Sequence, residues 1–138
     1  MCLYSKTKYP LIAEEDIVCY KTLDTDFING KKVFITPFQR TPIHSRILSG
    51  EWPFKASGKK QRLSVNRYGN FDDKGAVIES GYIHCWTNEN IVIGLGLDGA
   101  LYKCIIPKGT KYYRGWFNGW YNYDSICAEQ IKFVERIK

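Results

Sequence analysis

The chain has 138 residues, 44% of them hydrophobic and 15% aromatic, with a formal charge of +6; this suits one globular domain around one core and leaves little for a second. No apolar run approaches the roughly 20 residues of a membrane helix, and MCLYSKTKYPLIAEED lacks the charged-then-apolar layout of a signal peptide. The expectation is therefore a cytoplasmic protein without a membrane partner. Five cysteines (Cys2, Cys19, Cys85, Cys104, Cys127) follow neither CxxC nor CxxH spacing, which argues against a disulfide framework and a metal site and for buried, inert thiols.

The charge is uneven. Residues 1–30 sum to −2, residues 31–74 to +7 and the remainder to +1. A basic field in the middle third suits phosphate-bearing partners, polymeric or small, because clustered Lys and Arg raise the local anion concentration.

In chain order, DIVCYKTL (16–23) and KVFITPF (32–38) read as two strands of a hairpin, with Asn29-Gly30 as its turn signal. From about 40 to 75 the pattern weakens into an irregular basic segment with room for one short helical turn. ESGYIHCWT reads as a strand. NENIVIGLGLDGA is ambiguous: Asn88 could cap a helix, whereas Gly94, Gly96 and the β-branched residues Ile91, Val92 and Ile93 disfavour the helix it would start. ALYKCIIP (100–107) is the best strand in the chain, ended by Pro107 and Gly109. SICAEQIKFVERI (125–137) alternates as a last strand. The fold class expected from these elements is α+β: a single domain, 1–138, of mostly antiparallel strands with one or two short helices.

Two stretches could carry chemistry. In KYYRGWFNGWYNY (111–123) seven of thirteen residues are aromatic, and aromatic faces stack on bases at about 1–3 kcal/mol each while cations neutralise phosphate. Lys111 and Arg114 are the candidate phosphate ligands, and Tyr112, Tyr113 and Trp116 the candidate stacking platform; the same side chains could instead pack a core or a homo-oligomer contact. The second stretch is GYIHCWTN (81–88). By the two-residue period of a strand, His84 shares its face with Tyr82 and Trp86, an arrangement that fits a pocket wall and a buried aromatic layer equally well. No hydrolase elbow, P-loop, dinucleotide-binding glycine motif, HExxH or paired-carboxylate spacing is present, so binding is expected ahead of catalysis, with no cofactor.

Taken together, MCLYSKTKYPLIAEEDIVCYKTL, ITPFQRTPI, GYIHCWTN, YKCIIPKGTKYYRG and SICAEQIKF resemble a family of small proteins carried by Bacteroidetes bacteria and their phages. That resemblance implies no particular activity. A weaker similarity runs to the ADP-ribosyltransferase-like fold, with IVCYK, GYIHCWTN, IIPKGT and AEQIKF in the order of its motifs. It would place His84 where the family's serine motif stands and Glu129 or Gln130 near the catalytic carboxylate, and it would make NAD or an ADP-ribose-like molecule the ligand. Three functional readings follow. The first is a small phage- or prophage-type binding protein, non-catalytic, that engages a nucleotide-like ligand or a macromolecular partner, with an anti-defence role. The second is a divergent ADP-ribosyltransferase-like enzyme acting on NAD. The third is a nucleic-acid-binding protein.

Overall fold

The computed structural model describes residues 3–5, 7, 9–37, 40–56, 76–78, 81–95, 99–117 and 124–138, with backbone alone at 76–78 and 93–95. Among these residues the chain forms eleven strands: β1 (Leu3–Ser5), β2 (Leu11–Ile12), β3 (Ile17–Ile28), β4 (Lys31–Ile35), β5 (Phe54–Lys55), β6 (Ala76–Ile78), β7 (Ile83–Trp86), β8 (Ala100–Ile106), β9 (Lys111–Phe117), β10 (Asp124–Ala128) and β11 (Gln130–Arg136). Two helices complete it, α1 (Ser45–Leu48) and α2 (Glu89–Leu95). Four and seven residues of helix make no layer of their own, so the expected α+β class is corrected to a nearly all-β fold. The physical reason lies in α2. Its β-branched residues make a poor helix former, and the helix stays a short cover over one end of the sheet, started by Asn88, whose Oδ1 accepts from the Asn90 N–H at 2.8 Å.

One sheet runs β5-β11-β8-β3-β7-β10-β9-β1-β6, with β2 added to β9 and β4 to β3. Every pairing is antiparallel. The end strands of that path have two and three residues, which leaves little edge to template another chain.

The strand period sorts side chains onto two faces. Cys19 and Leu23 of β3, Ile83 and Cys85 of β7, Tyr102, Cys104 and Ile106 of β8, Ile126 and Ala128 of β10, and Ile131 and Phe133 of β11 form one large buried cluster. Across it an edge-to-face series of rings joins Phe34 to Tyr102 (6.2 Å) and Tyr102 to Phe133 (5.3 Å). The opposite face carries two smaller clusters: Leu3, Tyr113 and Cys127 with Tyr82 against them, and Trp86, Val92 and Leu101 with Tyr20, Ile91 and Phe117 against them. The candidate site lies on this second face.

The hairpin is present, with Asn29 and Gly30 at φ 52 and 78, but its loop is two residues only. DTDFI, expected as connection, continues β3, because Asp24 to Ile28 pair with Ile35 to Lys31. Likewise SICAEQIKFVERI is two strands separated by Glu129. The irregular segment is described to residue 56 and contains α1 and β5; the remainder, 57–75, lies outside the described residues. Cys19, Cys85, Cys104 and Cys127 are all buried free thiols. No described helix is long and apolar enough to cross a membrane.

Candidate functional site

β9 divides the aromatic stretch between the two faces of the sheet. Tyr113 is 1% exposed and pairs across to Cys127 on β10, which in turn pairs with His84 on β7. Tyr113, His84 and Trp86 are therefore brought together on the second face. Tyr112, Arg114 and Trp116 point the other way by strand alternation. Tyr112 packs against the large cluster, and Trp116 is half-buried. The Arg114 Nη2 lies 2.8 Å from Asp124 Oδ2, which raises the guanidinium pKa further and neutralises the charge expected to meet a phosphate. Lys111 is exposed and pairs with Ile12 of β2. The rest of the aromatic stretch, 118–123, lies outside the described residues.

Glu129 stands exposed at the junction of β10 and β11, its N–H donating to the Lys111 carbonyl at 3.1 Å and its own carbonyl accepting from the Ala56 N–H at 2.7 Å. These backbone bonds join three segments distant in sequence, and a cleft of about 430 Å³ opens between them, lined by Lys55, Ala56, Gly81, Tyr82, Glu129 and Gln130. Gly81, at φ 88, makes the turn that delivers Tyr82 to the cleft wall. Gln130 is held in place by its Nε2 donating to Thr110 Oγ1 at 3.2 Å. The Tyr82 ring stands edge-on to Tyr113 at 5.6 Å. Burial raises the pKa of both phenols, Tyr113 to about 12, with the Glu129 carboxylate reinforcing the effect at Tyr82. Both are neutral hydrogen-bonding groups at physiological pH.

Behind this pair sits His84, enclosed by protein. Burial first, and the Lys21 charge second, lower its pKa to about 3, so the ring is a neutral imidazole. Lys21 comes from the other face of the sheet and donates from Nζ to the His84 carbonyl at 2.7 Å. Among the described residues neither ring nitrogen of His84 has a hydrogen-bond partner, and the same is true of the buried Ser125 hydroxyl. Sequence reasoning placed Tyr82 beside His84 but missed Lys55, Gly81 and Ser125. The pairing of β5 with β11 brings Lys55 to Gln130, and that of β10 with β7 sets Ser125 opposite Trp86; no local signal in the chain announces either.

A second groove, of about 740 Å³, lies between β2 and the start of β3, with Leu11, Ile12, Val18 and Tyr112 in its walls and Glu14, Glu15 and Asp16 on its rim. Three carboxylates make it hostile to an anionic ligand. Among the described residues no group of three or more His, Cys, Asp or Glu side chains could hold a metal ion. Comparison with protein-family models, curated proteins and solved structures finds no match to the chain.

Proposed function

We propose that the protein is a non-catalytic binding protein for a nucleotide-like small molecule, taken up in the cleft between Lys55, Tyr82, Glu129 and Gln130. The observation that carries this reading is the composition of that cleft: a cation, an aromatic ring, a carboxylate and an amide on one concave surface of about 430 Å³, within the roughly 300–1,000 Å³ usual for small-molecule sites. Lys55 suits a phosphate, Tyr82 a ring, and Glu129 with Gln130 the hydroxyl groups of a sugar. The net charge of +6 favours the approach of an anion. Sequestering a nucleotide signal, as an anti-defence protein of a phage would, is a role consistent with such a site.

The test is a thermal-shift series with NAD, ADP-ribose, mononucleotides, cyclic nucleotides and a short single-stranded oligonucleotide at two salt concentrations. A ligand at a hundred times its Kd adds about 2.7 kcal/mol of stability. Lys55→Ala and Tyr82→Leu should each reduce the shift given by the nucleotide that binds; a panel without any shift would rule the reading out. Release of nicotinamide from NAD, abolished by both His84→Ala and Glu129→Gln, would replace it with the transferase reading.

The nucleic-acid reading keeps one observation of its own. Trp52 is 42% exposed, with the His44 ring stacked on it at 5.0 Å and the Arg46 guanidinium 5.0 Å from its centroid. Oligonucleotide affinity that falls steeply with salt and is lost in Trp52→Ala would favour it.

A further inference from the structure

Buried polar groups elsewhere on the sheet are satisfied: Lys21 Nζ by the His84 carbonyl, Ser5 Oγ by the Thr7 carbonyl at 2.8 Å, and Thr110 Oγ1 by Gln130. The exceptions among the described residues are Nδ1 and Nε2 of His84 and Oγ of Ser125, and the register puts them side by side. Cys127 lies opposite His84 and Ser125 opposite Trp86, so His84 and Ser125 are diagonal neighbours on one face of adjacent strands, about 7–8 Å apart at the backbone. A group between them could meet both. Leaving a buried donor or acceptor unpaired costs about 1–3 kcal/mol, and two such residues in one place call for a common explanation.

We propose that His84 and Ser125 form the inner recognition edge of the binding site, and that they take an uncharged heterocycle bearing a hydrogen-bond donor next to an acceptor, the nucleobase part of a nucleotide. This rests on the reading of the cleft given above and extends it inward. A neutral imidazole offers one donor and one acceptor, and a hydroxyl offers both, which matches a ring edge of alternating polarity. Among the described residues, the side chains on the face around them, Tyr82, Trp86, Tyr113 and Cys127 included, carry no charge, which suits an uncharged part of a ligand. Their rings supply the apolar walls a flat heterocycle needs. Tyr82 belongs to both places: it lines the cleft and stands against Tyr113. In the proposed complex the sugar and phosphate stay in the cleft with Glu129 and Lys55.

The imidazole nitrogens of the wild-type protein give the direct test, because the chain has only His44 and His84. Long-range proton–nitrogen NMR spectra would be followed during titration with free nucleobases, nucleosides, the corresponding nucleotides and inorganic phosphate. The expected result is that a nucleobase and its nucleotide shift the His84 nitrogens and leave those of His44 unmoved, whereas phosphate shifts neither. Ser125→Ala, checked by its own spectrum for an intact sheet, should weaken the nucleobase by about tenfold to a hundredfold. A nucleotide that moves the Tyr82 ring signals while the His84 nitrogens stay fixed would overturn the inner site and leave the cleft standing. Absence of any bound base, nucleoside or nucleotide would overturn both. Unchanged affinity in Ser125→Ala would remove Ser125 from the edge.

Discussion

Enclosure of His84 couples one proton to the stability of the whole sheet. The unfolded chain binds that proton as pH falls through about 6.5, whereas the folded one refuses it until about pH 3, because burial, helped by Lys21, disfavours the charged ring. A depressed folded pKa means that the unfolded state holds more protons between those values. The His84 contribution is therefore complete above pH 6.5 and is lost progressively as pH falls toward 3. By pH 4.5 the loss amounts to about 2–3 kcal/mol. Urea unfolding of the wild type and of His84→Phe at pH 7 and pH 4.5 isolates it, since carboxylate contributions common to both cancel. The wild type should lose more stability than the variant by that amount, and equal losses would mean that the ring takes up its proton in place. Arg114 and Asp124 are a contrasting case. Their side chains are 52% and 32% exposed, so a double-mutant cycle should return only about 0.2–1 kcal/mol despite the 2.8 Å contact.

Within β9 the glycine is a matter of close approach, not of turning. A Cβ at Gly115 would run into the backbone carbonyl of Tyr4 on β1, and a backbone atom in a strand cannot swing aside as a side chain can. Gly109, at φ 87 in the turn before β9, has nothing within 4 Å of the same position. Gly115→Ala should therefore cost well above the ~1–3 kcal/mol of ordinary overpacking, and Gly109→Ala only about 1–2 kcal/mol for its left-handed backbone; chemical denaturation of the two variants gives the comparison, and similar costs would mean that β1 can shift away from β9. Elements whose signal is local were legible in the chain. The Asn29-Gly30 turn, β7 and β8 are there as read, whereas the stretch after Asn88, ambiguous in sequence, forms the short helix α2. What depended on a distant partner was not. β3 runs on through DTDFI because β4 pairs with it, although the alternating Asp and Thr residues look like a loop. Glu129 breaks the last strand because Ala128 and Gln130 answer to different neighbours, Ile83 on β7 and Lys55 on β5. The site followed the same rule. His84 and Trp86 could be placed on one face by alternation, but Tyr113 joins them, and Tyr112, Arg114 and Trp116 leave them, only because β9 is a strand.

At the scale of the molecule, the four buried thiols report on the sheet as a unit. Cys104, Cys19, Cys85 and Cys127 sit on β8, β3, β7 and β10, which are consecutive in the sheet. Burial holds the pKa of Cys104 and Cys127 well above that of a free thiol, and a protonated, enclosed sulfur does not attack an alkylating reagent. Reaction then needs an opening, and its cost depends on how much of the sheet must part. If the central strands separate only in global unfolding, mass-spectrometric labelling in low urea should modify all four together, at a rate set by the stability measured in bulk. Early, separate labelling of Cys127 would instead mark β9 and β10 as a weaker unit that opens on its own. The opening of that pair would also expose His84 and Ser125, which face Cys127 and Trp86 across the β7–β10 pairing. Labelling of Cys127 would in that case be slowed selectively by any ligand held at the inner edge, whereas a ligand confined to the outer cleft of an all-or-none sheet would slow the four thiols equally.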